Sequence, residues 1–145
     1  MPLLATLALV LTACATGSGS PGRGWTTPDL AGTHWVVTSI DGKAPVRGPE
    51  LVADFGADGR VSGDAGCNSF SGPYIQTGLK VSFGELLSTR RACVEADRQQ
   101  QETRLLAIMQ GETTVRLQSD RLSLRGKSGS LVLTKSESSV IGYQR

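Results

Sequence analysis

The sequence predicts an α+β domain that is mostly antiparallel strand: a curled β-sheet or partial barrel of short strands with one amphipathic helix packed on it. Three observations carry this. From His34 to Thr134 the chain breaks into short runs rich in β-branched and aromatic residues, several of which alternate apolar with polar. Turn signals separate those runs, and 12 of the chain's 18 glycines fall within that span. The segment Val94 to Gln110 lacks Gly and Pro and is dense in Glu, Gln, Arg, Leu and Ala.

The elements follow in order. His34–Ile40 reads as a strand, and Asp41-Gly42 ends it with a hairpin-type turn. Leu51–Phe55 and Arg60–Gly63 flank Ala57-Asp58-Gly59 as a second hairpin. A glycine-dense turn spans Gly66–Gly72 and leads into a strand near Tyr74-Ile75-Gln76. Thr77-Gly78 turns the chain into Leu79–Phe83, which alternates as a half-buried strand should, and Leu86–Arg90 forms one more short strand. The helix over Val94–Gln110 stops at Gly111, a natural C-terminal cap. Leu105, Ile108 and Met109 share its apolar face with Leu106 beside it, while Arg98, Gln99 and Glu102 point to solvent. Thr114–Gln118, Arg121–Arg125 and Leu131–Thr134 then form a meander with one wet face.

Ahead of the domain, residues 1–13 read as a lipoprotein signal peptide. The apolar run Leu3–Val10 closes on Leu11-Thr12-Ala13-Cys14, which resembles the bacterial pattern in which the cysteine takes the lipid. Met1-Pro2 lacks the positive charge that usually opens such a segment. The run is too short to span a bilayer, which needs about 20 apolar residues. Residues 14–27 then form a lipidated cysteine and a Gly/Ser/Pro-rich flexible tether. The domain occupies 28–135, and 136–145 is a polar tail.

The bulk numbers exclude more than they assign. The 145 residues fit one domain with one modest core. A net charge of +2, with no basic run beyond Arg90-Arg91, gives no footprint for nucleic acid, and that pair reads as a solvated face. Of three cysteines, Cys14 is assigned to lipid, which leaves Cys67 and Cys93 as a candidate pair. Outside the cytoplasm a disulfide is the default for such a pair. Closing a loop of roughly 27 residues, it stabilises by about 3 to 4 kcal/mol in the chain-entropy model.

Catalytic signals are nearly absent. His34, the single histidine, has no carboxylate or thiol near it in sequence and reads as structural. Metal-ligand spacing is missing, and neither cysteine lies in a C-x-x-C. Gly126-Lys127-Ser128 mimics the end of a P-loop, but Arg121 stands where the first glycine belongs. The Gly66–Gly72 stretch lacks the G-x-S-x-G frame around Ser69 and Ser71. No cofactor is expected, and the chain is not expected to be an enzyme.

A constellation around the two cysteines remains. Gly66-Cys67-Asn68, Phe70-x-Gly72-x-Tyr74, Leu79-x-x-x-Phe83 and Ser88-Thr89-Arg90-x-Ala92-Cys93, with Glu102 and Leu105 on the helix, resemble the META domain of HslJ-like, heat-shock-associated bacterial envelope proteins. Trp35 and the Asp41-Gly42 turn fit that domain's opening. The resemblance implies a Cys67–Cys93 pair and a role in envelope stress resistance, motility or secretion with no established reaction. One departure is Arg91, where the family carries Met. Glycines around Cys67 allow tight backbone there, and Asn68, the chain's single asparagine, is expected to satisfy backbone groups at the turn.

Two functional expectations follow. The first is a membrane-tethered binding or structural module: lipid on Cys14, the extracytoplasmic face of the cell membrane (the outer membrane if the source has two), an envelope protein as partner, no nucleic acid, a monomer. The second is a carrier of a small apolar ligand or lipid, with a cavity lined by Trp35, Val37, Phe55, Val81 and Phe83.

Overall fold

The structure, a computed structural model, describes residues 24–136. The expected signal peptide, Cys14, most of the expected tether and the tail beyond Ser136 lie outside the described residues.

Strand pairing runs entirely antiparallel. Strand β1 (Thr33–Ile40) pairs with β2 (Val52–Phe55), and β2 with β3 (Arg60–Asp64). Next, β3 pairs with β4 (Ser69–Thr77), and β4 with β5 (Lys80–Phe83). The ring continues through β7 (Gly111–Gln118), β8 (Arg121–Gly126) and β9 (Ser130–Lys135), which pairs back with β1. Eight of the nine strands therefore close into a barrel. The two-residue β6 (Leu87–Ser88) hangs on β4 beyond the end of β5.

The sheet is thus more closed than the expected curled sheet or partial barrel, and the β3–β4 pairing closes it. Reading Gly66–Gly72 as a turn hid that pairing. The turn ends at Asn68, and Phe70 and Gly72 are strand residues opposite Gly63 and Val61. Gly72 is required there because a Cβ would lie 2.5 Å from the Glu85 carbonyl oxygen, where the approach to β6 crosses β4.

An eight-stranded barrel is just wide enough for side chains to fill it. Trp35, Val37, Phe55, Val81 and Phe83, the positions the carrier reading puts on a cavity wall, all belong to one buried core cluster with Val115, Leu122, Leu124, Leu131 and Leu133. The Phe55 ring meets Tyr74 edge-on at 5.1 Å and Phe83 at 6.2 Å. Tyr74 donates its hydroxyl to the Gly56 carbonyl at 2.9 Å, and burial raises its pKa. Trp35 donates its indole N–H to Thr33 Oγ1 at 2.7 Å. Both aromatic polar groups are satisfied at the edge of an apolar core, as burial demands.

The two barrel ends are closed differently. Helix α1 (Ala96–Met109) crosses the end that holds the last residue of β1, the β3–β4 turn and the β8–β9 turn. Its bonds reach those loops. Val46 N donates to Gln101 at 2.6 Å, and Arg104 donates to Asp41 and to the Ser128 carbonyl, each at 2.5 Å. The Arg104 guanidinium and the Ser130 amide hold the Asp41 carboxyl below its ordinary pKa. At the opposite end the chain from Trp25 to Leu30 lies over the barrel. Thr26 bridges Leu117 through two backbone bonds, 2.8 and 3.0 Å, and Leu30 is fully buried. Thr26, expected in the tether, is therefore paired with the barrel.

Three sequence expectations change at the helix. It begins at Ala96, not Val94, so Val94 and Glu95 separate it from Cys93. It packs across a barrel end, not flat on a sheet face. Glu102, expected in solvent, is buried along with Gln101. The buried set Gln101, Glu102, Leu105, Ile108 and Met109 is one continuous helical stripe, so its first turn is polar but inward. Gly111 follows the helix with φ +79°, as a C-terminal stop should. Among the described residues no helix is long and apolar enough to cross a membrane.

Candidate functional site

The sequence motifs converge on one region, the β3–β4 turn and the segment leading into α1. Cys67 and Cys93 are joined by a disulfide, with their Cα atoms 5.8 Å apart. Gly66, with φ +102°, lets the turn double back beneath it, and a Cβ there would meet the Leu51 side chain at 3.1 Å. The bridge fastens this turn to the segment ahead of the helix.

Asn68 organises everything beside the bridge. It is 6 % exposed and uses both ends of its amide. Its Nδ2 donates to Glu102 Oε1 at 2.9 Å and to the Arg91 carbonyl at 3.3 Å. Its Oδ1 accepts from Arg91 N at 2.7 Å and from Thr89 Oγ1 at 3.0 Å. Its own backbone N–H donates to Glu102 Oε2 at 2.9 Å. Glu102, 8 % exposed, thus has both carboxylate oxygens occupied by a single residue. Asn68 was expected to satisfy backbone groups at its own turn; its amide instead reaches the Arg91 backbone and Thr89 in the facing segment and Glu102 on the helix, partners the sequence reading missed. A signal existed: Gln101 and Glu102 sit four and three positions before Leu105 on the same helical stripe.

Thr89 extends this knot outward, because its Oγ1 also accepts from Ser69 N at 3.2 Å. Beyond it opens a groove of about 630 Å³ on the outside of β2, β3, β4 and β6. Asp54, Asp64, Ser62, Ser69, Ser71, Ser88 and Thr89 line it with polar groups, and Val52, Phe70 and Leu87 add apolar surface. Leu87 is 64 % exposed. Phe70 is buried at its floor, while Ala92, Arg90 and Arg91 are exposed. Trp35 and Tyr74 lie in the core, away from this cluster.

Strand register lays His34, Asp54, Ser62 and Ser71 side by side across the outer face. His34 Nδ1 contacts Asp54 Oδ1, a partner from the neighbouring strand that sequence distance concealed. The order is hydroxyl, carboxylate, imidazole. Nucleophilic catalysis needs the imidazole in the middle, next to the hydroxyl it deprotonates. Among the described residues one group could hold a metal by proximity: Cys67, Cys93 and Glu102, whose ligand atoms lie within 4.8 Å of one another. Both sulfurs are committed to the disulfide, and both Glu102 oxygens accept hydrogen bonds from Asn68.

Comparison with known proteins agrees with this geometry. No curated protein matches the chain. Among solved structures, an NMR structure of a protein from Burkholderia xenovorans is similar, with a TM-score of 0.60 and 26 % identity over 81 % of this chain and 97 % of that one. A second NMR structure shares the fold at 22 % identity, with a TM-score of 0.63, covering 72 % of this chain and 90 % of that one. The META domain family model matches residues 28–139, which takes in the whole barrel, the disulfide and the Asn68–Glu102 pair. The chain belongs to the META domain family.

Proposed function

We propose that this protein is a non-catalytic binding module of the bacterial cell envelope, held by lipid on Cys14 at the extracytoplasmic face of a membrane, where it supports envelope integrity or stress resistance by engaging a protein partner. One observation carries the reading. The barrel is filled with its own side chains, while the outer groove is open and braced by the disulfide knot. A surface held this firmly suits recognition, because little ordering entropy remains to be lost on binding. Exposed Leu87 offers an apolar anchor, and the hydroxyls and carboxylates around it offer a polar rim. Among the described residues one edge of β6 is unpaired, and it adds backbone donors and acceptors to which an extended segment can pair.

Site-specific photo-crosslinking in the native envelope tests this. A crosslinker at Ser71 or Leu87 should give a discrete protein adduct, and one at Thr38, exposed on β1 outside the groove's lining, should not. Equal or absent adducts at all three positions would contradict the groove as the working surface.

A further inference from the structure

A second outer face, remote from the groove, carries a different signature. Strands β7 and β8 point Arg116, Arg121 and Arg125 outward, together with Thr114 and Ser123. Against them lies Trp25, 52 % exposed, and the indole with Thr114, Arg116, Ser123 and Arg125 encloses a depression of about 510 Å³. Among the described residues none of the three guanidiniums makes an ion pair. The neighbouring acids are few. Glu112 is paired with Lys80 at 2.9 Å, and Asp120 sits in the β7–β8 turn.

We propose that the Trp25–Arg116–Arg125 face seats the domain on the anionic phospholipid headgroups of the membrane to which the chain is tethered. The inference rests on the lipid-anchor reading for its biological setting. Chain length argues for that occupant. Nine residues separate Cys14 from Gly24, so the domain hangs within about 35 Å of its anchor even when that segment is fully extended. Trp25 is the first large side chain after it, on the barrel end that the anchored segment reaches. Charge argues for the same occupant, since unpaired arginines meet phosphate oxygens through bidentate bonds. Indole favours the headgroup level, where its ring is half dry and its N–H is wet. Seated this way, the barrel turns its groove away from the β7–β8 side and leaves it open to a partner.

The test uses the chain from residue 14 onward, the form left once the signal peptide is removed, carrying Cys14→Ser so that neither lipid nor the apolar leader contributes, with vesicles of phosphatidylglycerol and phosphatidylcholine in equal parts and vesicles of phosphatidylcholine alone. Trp35 is buried in the core, so a blue shift in tryptophan emission reports on Trp25, the other of the chain's two tryptophans. The blue shift and co-sedimentation should appear with the anionic vesicles and weaken with salt. Arg116→Gln with Arg125→Gln should weaken binding about 30-fold, from about 1 kcal/mol per basic residue near an anionic surface. The paired Lys substitutions should restore most of it. Equal binding to both vesicle types, no binding to either, or insensitivity to the double Gln variant would overturn the proposal. Full displacement by millimolar inorganic phosphate would overturn it too, by revealing a single-anion site in place of a surface contact. Fractionating cells that express wild type and Cys14→Ser tests the anchor separately, so failure of the face and failure of the tether are distinguishable.

Discussion

Replacing Cys67 and Cys93 together with alanine is expected to lower unfolding stability by about 3 to 4 kcal/mol, read from the shift in urea midpoint under oxidising conditions. The bridge spans a sequence separation of 26 and joins two segments that otherwise meet through the Asn68 network and the short β4–β6 pairing. Domains of this size total roughly 5 to 15 kcal/mol, so the loss is large. The barrel core contains neither cysteine, so the variant should still fold. Hydrogen exchange should rise most between Leu86 and Glu95, where the chain loses its fastening to the β3–β4 turn. An unfolding free energy within about 0.5 kcal/mol of wild type would show that the bridge is decoration.

Asn68→Ala should cost about 2 to 4 kcal/mol. The amide makes four hydrogen bonds, to Glu102, Thr89 and both backbone groups of Arg91. Alanine leaves Glu102 Oε1 buried beside an empty space, and an uncompensated buried carboxylate is among the costlier defects a fold can carry. Thr103→Ala on the exposed face of the same helix is the control and should fall within about 0.5 kcal/mol of wild type. Thermal or urea unfolding of the two variants beside wild type reads the difference. Equal, small effects would mean that Asn68 is an ordinary turn residue.

How much of this was legible in the sequence depends on which residues spoke through local rules. Alternation exposed β5 and the final meander because each has one wet face and one dry face, and β1 showed through its β-branched and aromatic residues. The Asp41-Gly42 turn was legible because both residues take positive φ, 50° and 79°, which few residue types tolerate. Strand β4 was half hidden: Phe70 and Gly72 belong to it, but glycines and serines around them mimic a loop. Closure of the barrel was hidden with it, since closure is a long-range pairing that no window of sequence contains. The site followed the same division. Cys67, Cys93 and Asn68 stood out by type and count, whereas Glu102 looked like solvent-facing polarity until its stripe met Asn68 across the fold. His34 was masked in the same way, its carboxylate arriving from β2 through strand register.

The central claim is that this barrel keeps its interior for its own side chains and works through its surface. Native mass spectrometry of the protein, purified gently from its own envelope, tests that most directly. The account predicts the mass of the chain with its N-terminal lipid and nothing else. A reproducible additional small-molecule mass, retained when the lipid anchor is cleaved away, would contradict it and make the protein a carrier.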